Sequence, residues 1–172
     1  MVFDPAAAPR ERDAFKAWYS KQTEWSEAHG YADPTVTTPA LRNWYEQIIE
    51  FYPNMNGDRE LEDHEYDVAA DYSIGSAVIY GAFAWSTAED VYTKVRELAV
   101  ECEVGFYDVS GDEGDGEIYF PGDAVREPSQ GTWRQISADF KSGNVSHYVA
   151  QANSEDQPLE TKRSWFDIFR RK

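Results

Sequence analysis

The chain has 172 residues, 15% of them aromatic, and a net charge of −16 from 32 acids against 16 bases. That length fits one domain with a substantial core; the acidity excludes a body that grips nucleic-acid phosphate or anionic lipid, and it serves either to attract basic proteins or only to keep the chain soluble. No apolar run approaches the roughly 18 residues of a membrane-spanning helix, the first residues lack the basic and apolar regions of a signal peptide, and the single Cys102 leaves no disulfide framework or cysteine zinc site, so the expected compartment is the cytosol.

Residues 1–4 are expected to form a short strand that Pro5 ends. A helix follows over 9–26, where Ala14, Phe15, Trp18, Tyr19 and Trp25 fall on one stripe. Gly30 and Pro34 stop it. Thr38 and Pro39 open a second helix as N-cap and first helical residue. Leu41, Trp44, Tyr45, Ile48, Ile49 and Tyr52 recur along it at three and four, and Pro53 ends it. Residues 54–67 are polar and acidic and read as a loop.

Two strands, 66–74 and 77–85, are expected as an antiparallel pair turning near Gly75; one long bent strand is the alternative. Ser86 to Glu89 fits a capping box for a third helix, with Val91, Tyr92, Val95, Leu98 and Ala99 on its buried face. Strands 106–109 and 117–120 then read as a hairpin around DVSGDEGDGEIY. That acidic stretch fails as a calcium loop. With Asp108 first, Glu113 stands where the bend requires glycine and Tyr119 where the bidentate Glu belongs; starting from Asp112 loses the ligands at Gly114 and Gly116. It reads as a hairpin tip, with Gly111, Gly114 and Gly116 at positive φ and Asp112 and Asp115 bonding back to the backbone. A fourth helix is expected over 132–140; 144–151 is ambiguous, and 152–161 is polar and expected to be disordered.

The order of elements predicts an α+β fold: a mostly antiparallel sheet with three main helices on one face and a less ordered C-terminal region. The stretch 77–109 also fits a parallel strand–helix–strand crossover. The domain is expected over 1–150, best supported over 1–122, followed by a linker and tail at 151–172. The last twelve residues hold five bases against one acid, a charge of +4, and leave about −20 on the rest. Trp165, Ile168 and Phe169 share a helical face there, beside Phe166. The tail docks on the acidic body, reaches an outside partner or an anionic membrane surface, or is simply disordered.

Catalytic signatures are absent from the sequence. Glu101 and Glu103 flank Cys102 and work against a thiolate. His29, His64 and His147 form no helical metal pair. His64 has Glu62, Asp63, Glu65 and Asp67 around it, an arrangement that can hold a cation but is common in solvated loops. No phosphate-binding or dinucleotide fingerprint occurs. No cofactor or metal is expected.

The segments VFDPAAAPRERDAFKAWYSKQTEWSE, TPALRNWYEQIIEFYPNMNG, DYSIGSAVIYGAFAWSTAED and GFYDVSG resemble a family of small bacterial proteins that includes immunity proteins of polymorphic-toxin and contact-dependent-inhibition systems. The resemblance covers residues 1–122 and carries no catalytic motif. It implies a binding function: occlusion of a basic, nuclease-like toxin, steered by acidic charge and anchored by aromatics. The candidate contacts are Glu60, Glu62, Asp63 and Glu65, the hairpin acids Asp112, Glu113 and Asp115, and the tail aromatics Trp165, Phe166 and Phe169. The alternatives are a metal-assisted hydrolase using Asp108, Asp112 or His64, and an adaptor that binds through its tail.

Overall fold

A computed structural model describes residues 1–111, 116–124 and 132–145. Among them, five strands form one antiparallel sheet: β1 (Val2–Phe3), β2 (Asp71–Ile74), β3 (Val78–Ala82), β4 (Gly105–Tyr107) and β5 (Ile118–Tyr119), in the order β2-β3-β1-β4-β5. Four helices accompany them: α1 (Arg12–Gln22), α2 (Pro39–Ile48), α3 (Ala88–Glu101) and α4 (Thr132–Ser142). The fold is α+β, as the sequence pattern predicts. None of these helices is long and apolar enough to cross a membrane.

The two-residue β1 is the central strand. Val2 pairs with Ile79 on one side and Phe106 on the other, and Phe3 pairs with Val78 and Gly105. Because side chains alternate across a strand, these registers sort the apolar residues onto two faces. Val2, Ile79 and Phe106 join the larger core with α2, α3 and Trp133 of α4. Phe3, Val78 and Tyr107 turn the other way and pack with Phe15 of α1 and Phe120. Three helices therefore do share one face, but they are α2, α3 and α4. The aromatic stripe of α1 covers the opposite face, where Phe15 meets Phe3, Tyr107 and Phe120 edge-on at centroid distances of 5.0 to 6.2 Å. Gly105 is required in that layer. A Cβ there would lie 2.2 Å from the Phe3 ring, which rests directly on the glycine.

Strands β2 and β3 form the expected hairpin, with Ile74 opposite Ile79 and Gly75 N–H donating to Val78 O at 2.8 Å; the single bent strand is excluded. β3 and β4 are both antiparallel to β1 and so run parallel to each other, joined by α3. The crossover expected over 77–109 therefore exists with β1 inserted between its strands. β4 and β5 form the second expected hairpin, Phe106 facing Tyr119.

Four local expectations need correction. α1 ends at Gln22, and Trp25 leaves the helical stripe at φ 51° to pack on Tyr31 and Tyr80. β2 begins only at Asp71, because Glu65 O accepts the N–H groups of Val68 and Ala69 in a turn. Ser86 does not cap α3. It lies in a 3₁₀ turn, Trp85–Thr87, and the Glu89 carboxylate reaches Arg134 and Lys141 of α4 at 3.4 and 3.2 Å. Gly111 does not adopt positive φ, and Gly114 lies outside the described residues. Gly111 and Gly116 serve close approach: a Cβ on Gly111 would lie 2.1 Å from Gly116 Cα, and one on Gly116 would lie 1.8 Å from Asp108 O.

Candidate functional site

The segment 54–70 is a closed surface loop between α2 and β2. Its ends meet: Met55 N–H donates to Ala70 O and Ala70 N–H to Pro53 O, each at 2.9 Å. Asn54 Nδ2 donates to Tyr45 Oη at 2.9 Å, which ties the base of the loop to α2. Leu61 turns inward and is buried, so the loop carries its own apolar plug. This is the construction of a compact Ω-type loop, a common carrier of function.

Six acids in the loop face one base, Arg59. Their roles differ. Glu65 is internal to the loop: Arg59 donates to both its oxygens at 2.8 and 2.7 Å, and Glu62 N–H donates to it at 2.9 Å. The Arg59 fork, helped by the Glu62 N–H, holds the Glu65 carboxyl down at about 2. Asp58, Glu60, Glu62, Asp63 and Asp67 are exposed. Two large apolar residues stand out among them, Met55 at 48% and Tyr66 at 58% exposure. The loop therefore exposes five carboxylates and two large apolar side chains, with one carboxylate kept back to hold its shape.

Of the acids expected to meet a partner, Glu60, Glu62 and Asp63 are on this surface, while Glu65 is committed to Arg59. Asp112, Glu113 and Asp115, with Trp165, Phe166 and Phe169, lie outside the described residues, as do the rest of the tail and the stretch 146–172. Of the hydrolase alternative, only His64 and Asp108 are among the described residues. His64 stands exposed with Nδ1 3.5 Å from Glu62, Asp108 is buried, Asp112 is outside the described residues, and among the described residues no three His, Cys, Asp or Glu side chains are placed to hold an ion. Cys102 is buried and receives N–H groups from Asn43 and Gln47 at 3.4 and 3.3 Å; burial, more than Glu101, pushes its thiol up.

Neither a family model, nor a curated protein, nor a solved structure matches this chain. The site is thus read from its own geometry.

A second feature lies in the larger core layer, between the sheet and helices α3 and α4. A half-enclosed cavity of about 100 Å³ is walled by Tyr80, Phe83, Trp85, Tyr92, Phe106 and Trp133. Asp108 lines it too. Its Oδ1 accepts the Ser110 N–H at 3.0 Å, while Oδ2 is buried with no hydrogen-bond partner. The Nε1–H of Trp133 is likewise buried and makes no hydrogen bond of good geometry, although it lies near enough to the Asp108 carboxyl to act on it. Burial pushes the Asp108 carboxyl up, against the opposing pull of the Met1 nitrogen, the Ser110 N–H and the nearby Trp133 indole. The Met1 nitrogen donates to Tyr107 O at 3.1 Å, and burial draws its pKa down to about 5.

Beside the cavity, Glu117 sits between Tyr92 and Arg96 of α3. Arg96 donates to both its oxygens at 2.8 to 3.1 Å, and Tyr92 Oη donates to Oε2. Both members of the ion pair are nearly buried. Sequence reasoning passed over Asp108 and Glu117 as inward-facing groups. The alternation of two was the available signal: Asp108 follows Phe106, and Glu117 precedes Tyr119, on the face that turns towards α3.

Proposed function

We propose that this chain is a non-catalytic, acidic protein-binding module, which neutralises a basic, nuclease-like toxin domain by covering it. The observation that carries this reading is the loop 54–70, which exposes the acids Glu60, Glu62 and Asp63 and the apolar side chains of Met55 and Tyr66 on a frame anchored to the core. Carboxylates of one sign steer a basic partner and raise the rate of encounter. Exposed Tyr and Met side chains on a preorganised loop supply the desolvated contact that holds it. The resemblance to immunity proteins supports a toxin as the partner and the cytosol as the place of binding.

Growth rescue of cells expressing a basic toxin domain encoded beside this chain identifies the partner, and stopped-flow mixing tests the mechanism. The association rate is expected to fall by about tenfold between low salt and physiological salt, as steered encounters do. A Glu60→Gln, Glu62→Gln, Asp63→Asn triple variant is expected to associate more slowly and to lose much of that salt dependence. A rate insensitive to salt, or a triple variant as fast as the parent, removes this reading.

A further inference from the structure

We propose that the segment 23–37 is a pH-sensitive strap over the edge strand β2, fastened while the His29 imidazole carries two protons and loosened when it loses one. This device is separate from the loop 54–70 and does not depend on the partner proposed for it.

The strap joins α1 to α2 and is bonded to the turn between β2 and β3. Three contacts fasten it there. The Glu27 carboxylate accepts the Ser76 N–H, with both oxygens at 3.1 Å. Tyr31 O accepts the Ile74 N–H at 2.8 Å, and Thr37 Oγ1 donates to Ser76 O at 3.3 Å. Ile74 lies on β2, which borders the sheet, so the Tyr31 carbonyl closes one of the N–H groups that an edge strand otherwise leaves open. The turn leaves room for the carboxylate: a Cβ on Gly75 would lie 2.7 Å from Glu27 Oε1. Within the strap, Glu27 N–H donates to Tyr31 Oη at 2.7 Å, so the two fastening residues are held together.

His29 completes that unit. Its Nε2 lies 2.9 Å from Glu27 Oε2 and its Nδ1 2.8 Å from Gly30 O. Both neighbours are acceptors. A neutral imidazole has one N–H and turns a lone pair towards one of them; only the imidazolium donates to both. The charges around the ring favour the same form. Glu27 and Asp33 are the carboxylates that act on it, the β2–β3 turn brings only the uncharged Gly75 and Ser76, and from α2 Arg42 bears on Asp33. The Gly30 carbonyl and the Glu27 carboxylate hold the ring above its ordinary 6.5. With the folded value raised, the contribution of His29 is fully present below 6.5 and is lost as pH rises through the folded value. The strap also begins at a strained residue. Trp25 stands at φ 51°, a conformation that side chains with a Cβ seldom adopt, and packs edge-on against Tyr31 and Tyr80 at 5.0 and 6.2 Å. Strain at that point favours release once a fastening fails.

The test is NMR of the full chain labelled with ¹⁵N. His29 is expected to titrate above 6.5 and to carry protons on both ring nitrogens below that pH. Protection of the Ser76 and Ile74 N–H groups from solvent exchange, corrected for the intrinsic effect of pH, should fall by about two- to fivefold as His29 loses its proton, the range of a partly exposed charged pair. The Gly75 N–H, bonded to Val78 O inside the hairpin, should not follow. His29→Gln should keep Ser76 and Ile74 at the lower protection across the whole range, and Glu27→Gln should bring the His29 titration back towards 6.5. A His29 that titrates at or below 6.5, protection that ignores its titration, or the same pH dependence in His29→Gln overturns the proposal. If either variant fails to fold, the His29 titration and the protection of the two N–H groups in the parent chain still decide it.

Discussion

The loop 54–70 and the described strands and flanks of the hairpin, 105–111 and 116–119, use the same residue types in opposite ways. In the loop, five of six acids face solvent, and the sixth, Glu65, is satisfied by Arg59 within the loop itself. In the hairpin, Asp108 and Glu117 turn towards the helices: Glu117 is fully partnered by Arg96 and Tyr92, and Asp108 keeps one oxygen unpaired against a cavity. An outward carboxylate costs the fold little and acts at a distance on whatever approaches. An inward one holds two elements together or costs the fold the loss of its solvation. Composition alone does not distinguish the two uses, since both stretches read as acidic.

The most severe way to test this contrast is Arg96→Leu. It leaves the Glu117 charge buried with only the Tyr92 hydroxyl to answer it, and is expected to destabilise the fold by about 3–5 kcal/mol in urea unfolding. Replacing Glu117 by Leu in the same chain should recover much of the loss, because the cost comes from the orphaned charge.

Gly105→Ala tests the packing of the hairpin from its other face. The added methyl meets the Phe3 ring, so a loss of about 1–3 kcal/mol is expected by thermal or urea unfolding. Phe3→Leu in the alanine background should restore part of it by making room. A neutral Gly105→Ala would mean that the Phe3 ring is easily displaced.

Glu65→Gln should act locally. The expected result is faster proteolytic cleavage and hydrogen exchange within 54–70, with a smaller change in global unfolding. The pH dependence follows from the Glu65 carboxyl being held at about 2, below its ordinary 4.5. Its contribution is fully present above the ordinary value and is lost as pH falls through about 2. Protection of the loop should therefore fade on acidification across that window in the parent and show no such titration in Glu65→Gln.

The smallest effect on stability belongs to the outward acids. The Glu60→Gln, Glu62→Gln, Asp63→Asn variant should change unfolding free energy by no more than about 0.5 kcal/mol while slowing partner association. A large loss of stability would show that these acids are structural and would erase the contrast between the two regions.

Several parts of this molecule were legible from residue order alone. The Thr38–Pro39 start of α2, the apolar face of α3, and both hairpins follow from capping chemistry and from periods of 3.6 and 2, which depend on neighbours a few positions away. The exposed acids of the loop were equally readable, because a dense run of carboxylates is kept in water by its own solvation. Tertiary structure decided the rest. It placed β1 at the centre of the sheet and α1 on the far face, choices set by which strands pair across long stretches of chain. It drew Glu89 away from capping α3 and towards α4. It also turned Asp108 and Glu117 inward, where α3 and α4 supply the walls and partners. The physical reason is the same in each case: propensity and patterning are local, whereas pairing, burial and the partner of a charge are settled by residues distant in sequence that only the folded chain brings together.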